Sequence, residues 1–474
     1  MGLDARRRWV LGIVCLATVL VILSINVPSV VLPILGQELG ASFAQQQWVV
    51  NAYALALAAL LLASGSLADR LGRKRIFVLG LGWFLLSSLF CGLAWSPLVL
   101  DLARGAQGIG GAALFADSLS LLAEEFQGSE RGGALGVWGA AIAASIAAGP
   151  LVGGALSETL GWRWTFFLCV LLTMPAIPLA IANLSESRDP EEGSIDRVGV
   201  TTLAAGVFFL VFALVSGNDR GWGSPTILGG FALGALLLAG YILTEKMERD
   251  PMLDLALFRV PTFVGTSLVA FFVSSAIFAT IVFAPRYFID VEGASPFEAG
   301  LQLLPFAISA FAASVLAGRI AERLSPRVFI GVGMVLVGVG LTLMHGVGVD
   351  SGWPRLAPGL AVAGLGLGLV NPLLAAAALG VVTPARSGMA AGINNTFRQL
   401  GAAFGVAGLG AVLQGSQAHA SAAGATLAAA FVVGFNEVLL LAAAIAFVGA
   451  LLAVVLVRPR DFAASSQNSE REEA

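Results

Sequence analysis

The sequence predicts an all-α integral membrane protein, a bundle of about fourteen transmembrane helices built as two six-helix halves with two helices inserted between them. Three observations carry that expectation. The 474 residues are 58% hydrophobic and only 12% charged, which leaves too little polar surface to clothe a water-soluble body of that size. Mean hydropathy is +0.90. Apolar runs of roughly 20 residues recur along the whole length, each long enough to cross the ~30 Å hydrocarbon layer as a helix. Two short sequences also recur at one spacing, the mark of duplicated halves.

The first apolar run, 9–35, follows Arg6-Arg7-Arg8. A basic stretch ahead of such a run also suits a secretory signal peptide. No small-residue cleavage site precedes the second run, however, and Pro28, Pro33 and the polar Asn26 suit a working helix, so the span is expected to be retained. Five further runs complete a first half: 48–67, 76–94, 97–122, 132–156 and 164–181. The charged, loop-forming stretch 186–197 is expected to link this half to an inserted pair, 198–216 and 226–243. The second half follows at 262–287, 300–320, 328–345, 357–382, 389–413 and 435–457. The expected organisation is therefore an N-terminal half (1–185), a linker with the inserted pair (186–260), a C-terminal half (261–460) and a disordered cytosolic tail (461–474).

The repeat is local but consistent. Gly40-Ala41-Ser42 recurs as Gly293-Ala294-Ser295, and Gly65-Ser66-Leu67-Ala68-Asp69-Arg70-Leu71 recurs in diluted form as Gly318-Arg319-Ile320-Ala321-Glu322-Arg323-Leu324, both at the same offset. Halves in the same orientation are a transporter architecture, with a central site at their interface near mid-membrane. Charge fixes the expected orientation. Of the 26 Lys and Arg, all but six fall on the side of the N-terminus. Arg163, Arg220, Arg286 and Arg355 fall on the other side, while Arg104 and Arg398 lie inside spans. Both termini are therefore expected in the cytosol of a bacterial inner-membrane protein.

Composition also excludes several functions. No stretch between spans is large enough for a soluble catalytic domain, and no Ser/His/Asp, phosphate-loop or metal-ligand constellation occurs, so an enzyme is not expected. No cofactor or metal is expected either. The net charge of −3 gathers into no nucleic-acid patch. Cys15, Cys91 and Cys169 each sit within an apolar run and are expected to pack. The 58 glycines allow close approach of helices in lipid.

The turn after the second span, Gly65 through Gly72-Arg73-Lys74-Arg75, has a physical logic. Asp69 at a helix end beside Arg70 and Arg73 can make a charge-assisted network, and Gly65 and Gly72 permit close approach and a tight turn. A network that forms in one state and breaks in another is a latch. Plain positive-inside anchoring would explain the arginines but not the Gly and Asp spacing. In the fifth span Ser145, Gly149 and Gly153 share one ridge, and Pro150 removes a helical donor and bends the helix.

These stretches resemble a known family. The turn looks like the signature loop of the major facilitator superfamily, and Arg104-Gly105-Ala106-Gln107-Gly108-Ile109-Gly110 resembles its fourth-span motif. Gly136 through Gly149-Pro150-Leu151-Val152-Gly153-Gly154 resembles the fifth-span motif of its antiporters, with Ser145 where glycine is usual. Trp162-Arg163-Trp164 and Asn395-Thr396-Phe397-Arg398-Gln399-Leu400-Gly401 are similar to features of the fourteen-span drug:proton antiporter branch. The resemblance implies a proton-driven secondary transporter that exports hydrophobic drugs or antibiotics, with the proton gradient as its energy source. It implies that Arg104 belongs to the proton-coupling machinery, with Asp101 as a structural partner the other reading. It also implies that Gly149, Pro150 and Gly153 seal an access pathway.

One departure shapes the remaining expectations. The branch usually carries an aspartate in the first span, where this chain has Ser24, which cannot titrate. The clearly intramembrane carboxyl is Asp117, about 7 residues or ~10 Å inside the end of its helix. It is the candidate proton carrier, or else a structural hydrogen-bond donor or an attractant for a cationic substrate. The cavity wall is expected to combine apolar surface with Ser24, Asn26, Tyr53, Asn371, Asn394, Asn395 and Arg398. The expected partners are a small hydrophobic or amphipathic substrate and membrane lipid, with no nucleic acid and with the monomer as the working unit. An exporter of a lipid or siderophore, and a non-transporting sensor or assembly protein, are the alternatives.

Overall fold

The protein is described by a computed structural model that covers residues 4–41, 43–127, 129–187, 197–245, 255–320, 325–382 and 387–462. Among these residues every regular element is helical. The first half comprises α1 (Ala5–Leu39), α2 (Phe43–Leu71), α3 (Arg73–Gly92), α4 (Pro97–Glu125), α5 (Ser129–Thr159) and α6 (Arg163–Asn183). The inserted pair is α7 (Arg197–Arg220) and α8 (Pro225–Glu245). The second half comprises α9 (Pro261–Arg286), α10 in two pieces (Pro296–Gln302 and Leu304–Ile320), α11 (Pro326–Met344), α12 (Trp353–Leu379), α13 (Ser387–Ala422) and α14 (Leu427–Leu456).

Each apolar run of the sequence becomes one of these helices, fourteen spans when the bent α5 is counted as one. α5 breaks by 45° between Glu130–Ile146 and Leu151–Thr159. Pro150, which has no N–H to donate to the preceding turn, falls in that break. α2 and α3 meet at a single residue, Gly72, whose φ of +107° is one that other residues rarely adopt.

The halves repeat each other's packing. Within the first half the main contacts join α2 with α4, α3 with α4, α1 with α5, α3 with α6 and α1 with α6. Eight helices later the same pairings recur: α10 with α12, α11 with α12, α9 with α13, α11 with α14 and α9 with α14. The halves meet along two seams, α5 against α10 and α2 against α13. α7 leans on α2 and α13 and so covers the second seam, where the Asn218 amide donates to Ala407 O at 2.9 Å. The even number of spans puts both chain ends on one face, called here the terminal face. Outward surfaces carry exposed leucines and aromatics, such as Leu236, Leu102, Leu98 and Phe90, as a body solvated by lipid requires. The repeat positions 42 and 321–324, most of the linker and the tail beyond 462 lie outside the described residues.

Candidate functional site

On the terminal face the end of α2 reaches across the seam. Asp69, 1% exposed, accepts from Arg73 Nε at 3.0 Å and pairs with Arg73 Nη2 at 2.9 Å. Its second oxygen accepts the backbone N–H of Met389 at 2.9 Å. Met389 lies in the first turn of α13, where backbone N–H groups lack helical partners and the helix dipole is positive. A carboxylate of one half thus caps a helix of the other. Arg73 continues the network to Glu124 at the end of α4 (3.3 Å), and its backbone N–H donates to Ser187 O at 3.0 Å. Arg70 is partly buried in the last turn of α2, and Gly65 is buried one helical stretch earlier. The Glu186 carboxylate lies against Gly72, 2.4 Å from where a Cβ would stand, and as the tip of an exposed side chain it could yield, so the positive φ is what calls for glycine there. On the other seam, Ser314 of α10 donates to Gly136 O of α5 at 3.1 Å. Gly136 and Gly318 touch so closely that a Cβ on Gly136 would lie 2.9 Å from Gly318 Cα.

Arg104 is fully buried and each of its nitrogens is satisfied. Nε donates to Val49 O of α2 at 2.8 Å, Nη2 to Ser24 O of α1 at 2.8 Å, and Nη1 to Gln107 Oε1 at 2.5 Å. Ser24 O is available because Pro28, four residues on, has no N–H to offer it. The guanidinium also lies over the Tyr53 ring, 4.4 Å from its centroid, and Tyr53 OH donates to Val21 O at 3.1 Å. Arg104 therefore ties α4 to α1 and α2. It makes no hydrogen bond or ion pair with Asp101, whose Oδ1 is buried without a partner among the described residues, so the alternative reading of Arg104 as a structural partner of Asp101 has no pair behind it.

In α5 the small-residue ridge packs as the sequence suggests, but within the first half. A Cβ on Gly149 would meet Asn26 of α1 at 2.7 Å, and one on Gly153 would meet Val27 at 3.2 Å. These two glycines close α5 onto α1. Contact with the second half is made instead by Gly136 and Gly139, and by Gly154 near Phe297 at the far end.

A small cavity of about 20 Å³ lies between the halves. Its wall is mostly carbon, with Ile22, Phe115, Ile142 and Ile146 from the first half and Val273, Ile277, Phe278 and Leu367 from the second. The polar groups are Ser274, Asn371, Arg398 and Gln399, all from the second half. Arg398 Nη1 donates to Asn371 Oδ1 at 2.7 Å. Of the residues expected along the wall, Asn371 and Arg398 lie in it. The others are drawn into helix packing. Ser24 Oγ faces Cys169 Sγ at 3.7 Å beside a separate cavity between α1 and α6. Asn26 bonds its own helix at Ile22 O, and Tyr53 backs Arg104. Asn395 reaches Phe115 O of α4 at 3.4 Å, and Asn394 is buried with both amide atoms unpartnered.

Asp117 of α4 is fully buried, and neither carboxyl oxygen has a hydrogen-bond partner. It lies within electrostatic reach of Asp69 and Arg73. The reading of Asp117 as a donor to a neighbouring span finds no acceptor among the described residues. Sequence reasoning did not single out Gln107, Gln399 or the Met389 amide. Gln107 and Gln399 stand inside quoted motifs, and a polar residue within an apolar span was their available signal. The Met389 amide had none.

A sequence model of the Major Facilitator Superfamily matches residues 14–406. The puromycin resistance protein pur8 of Streptomyces alboniger is 33% identical over 482 residues, 99% of this chain and 95% of that one. The tetracenomycin C resistance and export protein of Streptomyces glaucescens is 32% identical, over 87% of this chain and 77% of that one. The multidrug efflux pump LfrA of Mycolicibacterium smegmatis is 32% identical, over 86% and 81%. Among solved structures, the human organic anion transporter MFSD10 (TETRAN) aligns with TM-score 0.65 and 14% identity over 95% of this chain and 100% of that one, a likeness of fold alone.

Proposed function

Since the chain belongs to the major facilitator superfamily, a family of membrane transporters, we propose that it is a proton-coupled antiporter exporting small hydrophobic or amphipathic molecules, antibiotics among them. One observation carries the reading. An apolar-walled cavity lies between two repeated halves, and the buried carboxylate of Asp69 joins those halves on one face. Similarity at 32–33% identity to proteins named for antibiotic resistance, over 87–99% of this chain, supports the substrate class.

The bias of basic residues assigns the terminal face to the cytosol of the plasma membrane. Opening that face requires Asp69 to leave the α13 N-terminus and Gly136 to separate from Gly318. A proton gained or lost at Asp117 changes the field at the Asp69–Arg73 pair, so protonation and closure form one electrostatic unit. Arg104 is a positioning group in this scheme: it holds α4, and with it Asp117, against α1 and α2. One chain supplies both halves and the cavity, so the monomer is the working unit.

The test is a drug-susceptibility panel in a pump-deficient bacterial host. Expression of the wild-type chain raises the inhibitory concentration of at least one hydrophobic antibiotic, and D69N at equal expression does not. A panel unchanged by the wild-type chain, together with no transport driven by a pH gradient in liposomes, overturns the reading.

A further inference from the structure

The cavity between the halves carries a charge that no carboxylate among the described residues pairs with. Arg398 sits about a third of the way along α13, and only 8% of it is exposed. Its Nη1 is held by Asn371 Oδ1 at 2.7 Å, which fixes the plane of the guanidinium. Nε and Nη2 are buried and have no hydrogen-bond partner among the described residues. Those two atoms form one edge of the guanidinium, the edge whose parallel N–H groups match the two oxygens of a carboxylate. A buried cation left unpaired in a membrane protein is costly, and such groups mark ligand paths. None of α9, α12 or α13, the helices that form the second-half wall, contains an Asp or Glu. The intramembrane carboxyl of the first half, Asp117, does not line the cavity.

We propose that the central cavity is a binding site for amphipathic organic anions. A carboxylate, or a sulfonate presenting two oxygens, takes the free edge of Arg398. The apolar body lies against Phe115, Ile146, Ile277 and Phe278. The space left in this arrangement is only about 20 Å³, so the apolar body is taken in as the halves part. This rests on the reading of the cavity as the transport site and narrows it. The site selects for an acid group, opposite in sign to the cationic drugs that Asp117 would have attracted.

The test uses the full-length protein in lipid nanodiscs, with 1-pyrenebutanoate and its methyl ester as fluorescent probes and empty nanodiscs as the partition blank. Wild-type protein binds the acid about tenfold or more tighter than the ester, the scale of one charge-assisted hydrogen-bonded pair. R398M loses that preference while binding the ester as wild type does, which shows that the cavity persists. R398K, which keeps the charge but not the forked edge, retains part of it. Equal binding of acid and ester by wild-type protein, or an acid preference that survives in R398M, overturns the proposal. Antibiotic resistance conferred by a wild-type protein that shows no acid preference removes this inference and leaves the export reading standing.

Discussion

At the scale of single residues, removing a charge and removing a shape have different consequences. Asp69→Asn keeps an oxygen that can accept from Met389 N, but it loses the pairing with Arg73 and the attraction of a full negative charge to the α13 N-terminus. Breaking a buried pair from one side leaves the other charge uncompensated. D69N is therefore expected to be inserted and expressed normally while losing about nine-tenths or more of its export, read as dye efflux per unit of protein in the membrane. Asp117→Asn separates coupling from binding. Uphill export driven by a pH gradient should vanish, while substrate binding survives at a level close to wild type. Wild-type uphill rates in D117N would make Asp117 structural. Both carboxyls were legible in the sequence because a charge inside or at the end of an apolar run stands out. Their partners were not. Met389 is 320 residues from Asp69, and a backbone N–H carries no signature of its own. Arg104 was legible for the same reason as the carboxyls, yet Ser24 contributes its carbonyl rather than its hydroxyl, freed by Pro28.

At the scale of elements, the apolar runs located every span but not every end. α13 runs to Ala422, past the expected 413, and α14 begins at Leu427 rather than 435. Hydropathy reports the hydrocarbon layer, whereas a helix continues through the interface, where Gln414, Ser416, Gln417 and His419 are at ease. The break of α5 followed from Pro150, but the partner of its glycine ridge did not, because small residues say that a helix approaches and not which one. The close pair on the α5–α10 seam yields a prediction at this scale. In Gly318→Ala the new Cβ would stand 2.5 Å from Gly132 O, backbone that cannot yield as a side chain tip does. Closure of the terminal face should be disfavoured. A cysteine reporter at Ser314, buried when that face is closed, should then react with a hydrophilic maleimide several times faster in G318A than in the unmutated background, and export should fall. Equal reactivity in both backgrounds would place the closing contact elsewhere.

At the scale of the whole molecule, the duplication was read from two fragments and is expressed in the structure as a full set of helix pairings that recur eight helices later. Orientation is the property that charge alone supports, and it is testable without any substrate. A cysteine at Ser187, on the terminal face, should be labelled only from the cytosol. One at Gly223, in the α7–α8 turn where a side chain meets nothing within 4 Å, should be labelled only from outside. Reversal of both patterns would invert the direction of transport. The measurement that reaches the central claim most directly uses purified protein in liposomes with an imposed pH gradient and a fluorescent hydrophobic substrate. Wild-type protein should move the substrate against its gradient only while the proton gradient lasts. D69N should abolish movement, and D117N should permit only downhill exchange. Uphill transport by wild-type protein that persists after the proton gradient is collapsed, or undiminished uphill transport by D69N, would contradict a proton-coupled cycle gated where Asp69 meets α13.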